Sequence, residues 1–190
     1  MRVSREKALE SREQVIDTAA RLLRERGFDG IGVADIMKAA GMTHGGFYRH
    51  FESKDELAVK ASERAIAESK AVIIDELSKR PQDPLRAVIE RYVSSIHRDD
   101  PGTGCILPAL AADAARRDDP ALSQVFTDNI QEYLDQLGTL LAVRPAATGV
   151  RTPSAILAEM VGAVVLSRVI SDKAMADQLI GDVVDDIVGK

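Results

Sequence analysis

Apolar residues in this chain recur every three or four positions and nowhere sustain a two-residue alternation, so the periodicity predicts helices throughout and no sheet. Between Ser11 and Arg26 the residues Val15, Ile16, Ala19, Leu22 and Leu23 form one such stripe, and Gly27 follows as a C-terminal cap, letting Phe28 fold back onto the apolar face. Val33, Ile36, Met37 and Ala40 repeat the pattern in a short second helix ending at Gly41. A third is expected from Thr43, as hydroxyl cap, to about Phe51. Ser53 and Glu56 have capping-box spacing and open a long helix to Lys79. Asp83 and Pro84 start a helix reaching His97, and Asp99 to Gly104 reads as a loop. Then come Leu107–Arg117, Pro120 to about Leu141, a Pro- and Gly-bearing loop to Thr152, Pro153–Ile170 and Lys173–Val188. The expected fold is all-α with about nine helices: a three-helix head over 1–52, and a helical bundle over 53–190.

At 190 residues the chain can bury a real core without disulfides. Its one cysteine, Cys105, cannot form an intramolecular disulfide, and no basic start precedes an apolar run, so a cytoplasmic setting is expected. Apolar runs such as Met160–Leu166 are far shorter than the roughly 20 residues a membrane span requires, so no membrane partner is expected. The net charge of −5 argues at first against nucleic acid, but residues 1–60 hold 11 Lys and Arg against 10 Asp and Glu. Their net is +1, and the remainder carries −6, so a near-neutral head with clustered cations can still hold phosphates.

Two short helices around a glycine turn, preceded by a longer one, have the form of a helix-turn-helix. That form alone is a weak signal; the content of the third helix is stronger. Phe47 and Phe51 read as inward anchors, whereas Thr43, His44, Gly45, Gly46, Tyr48, Arg49 and His50 are polar or nearly side-chain free. A segment entering the major groove needs donors that reach base edges and small residues that permit close approach. Thr43, His44, Tyr48 and Lys54 supply donors, and the two glycines supply approach. Adjacent glycines within a helix cost roughly 1 kcal/mol each relative to alanine, with no evident folding purpose.

The run from Gly41 to Leu57, GMTHGGFYRHFESKDEL, resembles the recognition signature of tetracycline-repressor-type regulators, and Arg26-Gly27-Phe28 and Ile36–Ala40 fit it as well. The resemblance is dense over residues 11–57; beyond them only length and helical organisation agree. It implies a DNA-binding regulator, not an enzyme, in which Thr43 caps the recognition helix and touches phosphate. His44, Gly45 and Gly46 would face base edges, Tyr48 and Lys54 would grip the backbone, and Arg49 and His50 are further candidates. Position 46 departs from the pattern: a larger side chain is frequent there, so readout shifts toward His44, Arg49 or DNA shape. The same residues have plainer readings, with His50 and Lys54 as solvated side chains, Tyr48 as an ordinary half-buried aromatic, and Arg2, Arg5, Lys7 and Arg12 as a disordered basic arm.

In the body, Ile156, Leu157, Met160, Val161, Val164, Val165 and Val169 cover more than one helix face, and Ile180, Val183, Val184, Ile187 and Val188 form a wide stripe. The resemblance implies a homodimer seam through these last two helices, with Gly162, Ala163 and Ser167 allowing close approach, and a dimer is what a two-fold operator reader needs. A small-molecule pocket is implied as well, with Leu107, Leu110, Phe126, Ile130, Tyr133, Leu134 and Leu137 as apolar lining and Tyr92 and His97 as polar tips. Cys105 follows Gly102-Thr103-Gly104 at an expected helix start, where amide dipoles favour a thiolate; some regulators of this type sense oxidants there, and a small buried hydrophobe is the competing reading. No cofactor or metal is expected. His44, His50 and His97 are scattered, with no Ser-His-carboxylate set and no phosphate-cradling loop, so an enzyme is the poorer alternative. A bare dimerisation module would leave the two glycines unexplained.

Overall fold

The computed structural model describes residues 5–142 and 151–189. Nine α-helices make up the described chain: α1 (Arg5–Arg26), α2 (Val33–Ala39), α3 (Lys54–Lys79), α4 (Pro84–Tyr92), α5 (Ser95–Asp99), α6 (Ile106–Ala114), α7 (Pro120–Ala142), α8 (Pro153–Val169) and α9 (Lys173–Val188). Two 3₁₀ segments, His44–Arg49 and Pro101–Thr103, lie between them, and the described residues contain no strand. The Pro145 to Gly149 part of the expected loop lies outside the described residues, as does Arg2.

The chain forms two compact units. The first takes residues up to Glu68 together with Pro101–Val125. Its core gathers Val15, Ile16, Leu22 and Leu23 of α1, Phe28 of the turn that follows, Ile36 and Met37 of α2, then Phe47, Phe51 and Leu57. Residues Ile106, Leu107 and Leu110 of α6 complete it, and α6 packs on α1. The caps follow the sequence signals. Gly27 has φ +78° and Gly41 φ +71°, a region costly to any residue with a Cβ, and Met42 N–H reaches back to the Met37 carbonyl to close the end of α2. The Ser53 hydroxyl accepts from Glu56 N–H at 3.0 Å, while the Glu56 carboxylate accepts from Glu52 N–H at 2.7 Å, a reciprocal cap displaced by one residue.

The second unit comprises Ser69–Asp100 and the chain from Phe126 onward. Here α8 packs on α9 and α5, and α4 on α9, around Leu85, Val88, Ile89, Leu137, Ile156, Met160 and Val164. Side chains of Asp83, Ser94, Thr152 and Asp172 cap their helices. Arg168 of α8 donates to the His97 and Arg98 carbonyls at 2.8 and 3.2 Å, satisfying groups that α5 leaves open at its end.

Four expectations need correction. The helix starting at Pro84 does not run through to His97: it stops at Tyr92, Val93 turns away at ψ 78°, and the Ser94 hydroxyl accepts from His97 N–H to begin α5. A serine that caps competes with helix continuation, and no proline or glycine marks the break. The third helix is a six-residue 3₁₀ segment, held by Gly46 N–H to Thr43 O and His50 N–H to Phe47 O, both 2.9 Å. Two adjacent glycines weaken α-helix, and short 3₁₀ runs suit such a length. Thr43 caps it through its backbone only, with no side-chain bond. The basic N-terminal arm is helix from Arg5 rather than a disordered tail. Leu9 in that first stretch is exposed, so no apolar stripe announced it.

Candidate nucleic-acid interface and cavity

Phe47 and Phe51 pin the short segment into the head, their rings 5.4 Å apart, with the Arg12 guanidinium 4.8 Å above the Phe51 ring. Arg12 also donates to the His50 carbonyl at 3.2 Å and to Glu56 at 3.0 Å, so this cation is committed to holding the end of the segment against α3. With the anchors inward, Thr43, His44, Gly45, Tyr48 and Arg49 are exposed, and Gly46, His50 and Lys54 are half-buried. Tyr48 is 71% exposed although its ring lies edge-on to Phe47 at 5.2 Å. A ring left so far in solvent is not a core residue, and it stands beside the exposed donors of the same segment.

The glycines are not demanded by the fold. A Cβ on Gly45 would meet nothing within 4 Å, and one on Gly46 would make ordinary contacts at 3.7 Å with Met37 Cε and 3.8 Å with Thr43 Oγ1. Neither has a positive φ. What their missing side chains leave is bare backbone on an outward surface. Neither Arg49 nor Lys54 has an ion-pair partner among the described residues, and Lys38 on the exposed side of α2 is likewise uncommitted. Sequence reasoning passed over Lys38 because a lone lysine at a helix end is ordinary; only its place beside the short segment gives it interest. By contrast Arg117 is tied to Asp29 at 2.9 Å and Asp55 at 2.5 Å and lies over Phe28, fastening the stretch after α6 to both the turn and the start of α3.

Cys105 is the N-cap of α6, 4% exposed, with Sγ accepting from Leu107 N–H at 3.4 Å. It belongs to the head unit with Leu107 and Leu110, all three buried there.

The second unit holds a cavity of about 370 Å³. Residues Lys70, Ile73, Ile74 and Leu77 face it from α3, and Asn129, Glu132, Tyr133, Gln136 and Leu140 from α7, each set at helical spacing. Val88 of α4 and Thr139 complete the wall. Of the expected lining only Tyr133 is here. Tyr92 and His97 stand behind it in an edge-on stack, Tyr133 to Tyr92 at 6.0 Å and Tyr92 to His97 at 4.9 Å, with His97 Nδ1 bonded to the Tyr92 carbonyl oxygen. Phe126 and Leu137 are buried and Ile130 is partly exposed; neither they nor Leu134 line this cavity. The expectation took the apolar stripe of α7, but the cavity lies along the neighbouring stripe, where polar and apolar residues alternate.

On α8, Ile156, Met160 and Val164 turn inward, while Gly162, Val165, Leu166 and Val169 fall on one outward face at spacings of three and four. Val169 is 79% exposed. No helix among the described residues is long and apolar enough to cross a membrane, and no group of three or more metal-ligating side chains gathers.

An exposed, glycine-bearing second element of a helix-turn-helix is the arrangement that DNA-binding proteins of that class present to a groove. Residues 15–61 match the family of bacterial regulatory proteins of the tetR type. Similar chains include the HTH-type transcriptional regulator AcrR of Shigella flexneri, 32% identical over 89 residues, which are 47% of this chain and 41% of that one. The chain spans less than half the length of the first curated relatives it matches. Among solved structures, a TetR transcriptional regulator from Chloroflexus aurantiacus is 28% identical, with a TM-score of 0.80 over 97% of this chain and 98% of that one. AibR, solved in complex with isovaleryl coenzyme A and operator DNA, shares the fold at 19% identity and a TM-score of 0.63, covering 94% of this chain and 98% of that one. Residues 15–61 thus match the tetR family of bacterial regulatory proteins, and the whole chain is similar in fold and sequence to a TetR transcriptional regulator.

Proposed function

We propose that the chain is a ligand-released repressor that binds a palindromic operator as a homodimer. The observation that carries this reading is the uncovered face of Thr43 to His50, anchored by Phe47 and Phe51 and free of steric need for its glycines. In this reading Thr43, Tyr48 and Lys54 hold phosphates, His44 and Arg49 reach base edges over the bare backbone of Gly45 and Gly46, and His50 adds a flanking contact. The dimer forms through α8 and α9, supported by the outward apolar face of Val165, Leu166 and Val169 and by Gly162 and Gly181, at which a Cβ would meet nothing within 4 Å. One six-residue segment makes too few contacts for specific affinity, and two-fold pairing supplies the second half-site.

Release follows from occupancy of the cavity. Helix α3 is continuous from Lys54 to Lys79, with its first part in the head unit and Lys70 to Leu77 on the cavity wall. A ligand that favours one setting of this helix biases the spacing of the two heads of a dimer, and so its match to successive major grooves. The protein acts in the cytoplasm, by binding rather than by catalysis. Thiol modification is a secondary route to release: burial of Cys105 supports its packing role, and a modified thiol would have to open the α6 cap first.

The test is a gel-shift against the promoter region adjoining the gene that encodes the chain. Specific retardation that weakens steeply with salt supports the reading. No retardation even at low salt would sink it.

A further inference from the structure

The cavity of the second unit carries a chemical signature beyond its existence. Ile73, Ile74, Leu77, Val88 and Leu140 give it apolar walls. Its two charges, Lys70 and Glu132, are paired with each other and each about two-fifths exposed, so they lie toward solvent and leave no uncommitted charge for a ligand. Deeper in, Asn129 is 5% exposed, and its side-chain oxygen has no hydrogen-bond partner among the described residues. A buried carbonyl oxygen without a donor is costly, and a donor brought by a ligand removes that cost. An anionic ligand would meet this acceptor oxygen, and a cationic one would have to break the Lys70–Glu132 pair.

We propose that the cavity takes an uncharged, largely apolar molecule carrying one hydrogen-bond donor, a hydroxyl or amide N–H, which it delivers to Oδ1 of Asn129. The proposal rests on the reading of this cavity as the release site only for its effect on DNA; the binding itself is measured without DNA. Ile74, two-thirds exposed, forms part of the rim, and Tyr133 forms wall beside Asn129.

Three probes of matched length separate the chemistry: octan-1-ol, octan-2-one, which only accepts, and octanoate. Each is titrated into the full-length protein by calorimetry, with thermal unfolding as a second readout. The alcohol is expected to bind about tenfold more tightly than the ketone, with octanoate weakest. Asn129→Leu, which keeps the branching at Cγ and removes the carbonyl oxygen, is expected to equalise alcohol and ketone, and Ile74→Trp at the exposed rim to weaken both. Should Asn129→Leu not fold, the wild-type preference and the Ile74→Trp loss still decide. Equal binding of alcohol and ketone by the wild type, preference for octanoate, no binding of any probe, a preference that survives in Asn129→Leu, or indifference to Ile74→Trp each overturns the proposal. If the alcohol binds with the expected selectivity yet leaves retarded operator DNA in place, the ligand class stands and the release reading fails. If operator DNA is retarded but the probes show no selectivity, the ligand class fails and the DNA reading stands.

Discussion

The Arg24 guanidinium donates to the Gly104 carbonyl oxygen at 3.0 Å, one residue before Cys105. The same side chain, 1% exposed, donates to the Ala20 carbonyl and to Glu68 at 2.5 Å, so one cation of α1 holds both α3 and the turn leading into α6. The turn before Cys105 is therefore part of the head's framework. Replacing Arg24 by Ala removes one donor from the Gly104 carbonyl and the ion-pair partner of the half-exposed Glu68. The expected loss is about 2 kcal/mol, read as a lower urea midpoint with unchanged slope, and Arg24→Lys should recover only part of it because an ammonium cannot reproduce the fork.

Gly27 and Gly45 should respond in opposite ways to alanine. At Gly27 the backbone φ is +78° and a Cβ would lie 2.5 Å from Asp113 Oδ2, so Gly27→Ala should destabilise by about 1–2 kcal/mol. At Gly45 there is open space and no positive φ, so Gly45→Ala should leave stability unchanged or raise it by up to about 1 kcal/mol. Operator affinity should nonetheless fall for Gly45→Ala. Thermal unfolding alongside gel-shift titration separates the two effects; undiminished affinity in Gly45→Ala would remove the close-approach role.

Most of the helical framework was legible in the sequence because apolar stripes, Gly27, Gly41, Asp83 and the Ser53–Glu56 pair act within a turn or two of their own position. The break at Val93 was not, since it depends on Ser94 capping rather than continuing the helix, with no proline or glycine to mark it. The anchoring of Phe47 and Phe51 could be read from spacing, whereas the 3₁₀ form of the segment between them could not. The cavity was the least legible feature. Its walls are stripes from helices distant in sequence, and Asn129 looks like any polar helical residue until its burial is known.

Lys54→Ala should weaken binding to every DNA sequence alike and lower the magnitude of the salt slope by about 1. Tyr48→Phe should weaken binding to all sequences with little change of slope, because no charge is lost. His44→Ala should instead change the order of preference among operator variants. Fluorescence anisotropy titrations at several salt concentrations read all three, and an unaltered preference in His44→Ala would displace the base contact to Arg49.

Glu90 gives a pH-dependent contribution whose sign can be worked out. Burial pushes its carboxyl up, but Arg80 and Arg86 outweigh that, and the net effect is to hold it below the ordinary carboxylate range. A carboxyl depressed by folding adds stability above its unfolded value and loses it as pH falls through the folded one. The stability difference between wild type and Glu90→Gln should therefore be constant near neutrality and shrink as the solution is acidified below the ordinary carboxylate range. Denaturant midpoints at a series of pH values measure it, and a difference that grows in acid would contradict the assignment.

Leaving Val165, Leu166 and Val169 of one helix facing water has a thermodynamic corollary. Oily surface of this kind gains by self-association, so the melting temperature of the purified protein should climb as the sample is concentrated, and dilution alone should soften it. Comparisons of variants then carry meaning only at a fixed number of molecules per volume, and the quantity of protein in solution becomes a determinant of its own durability.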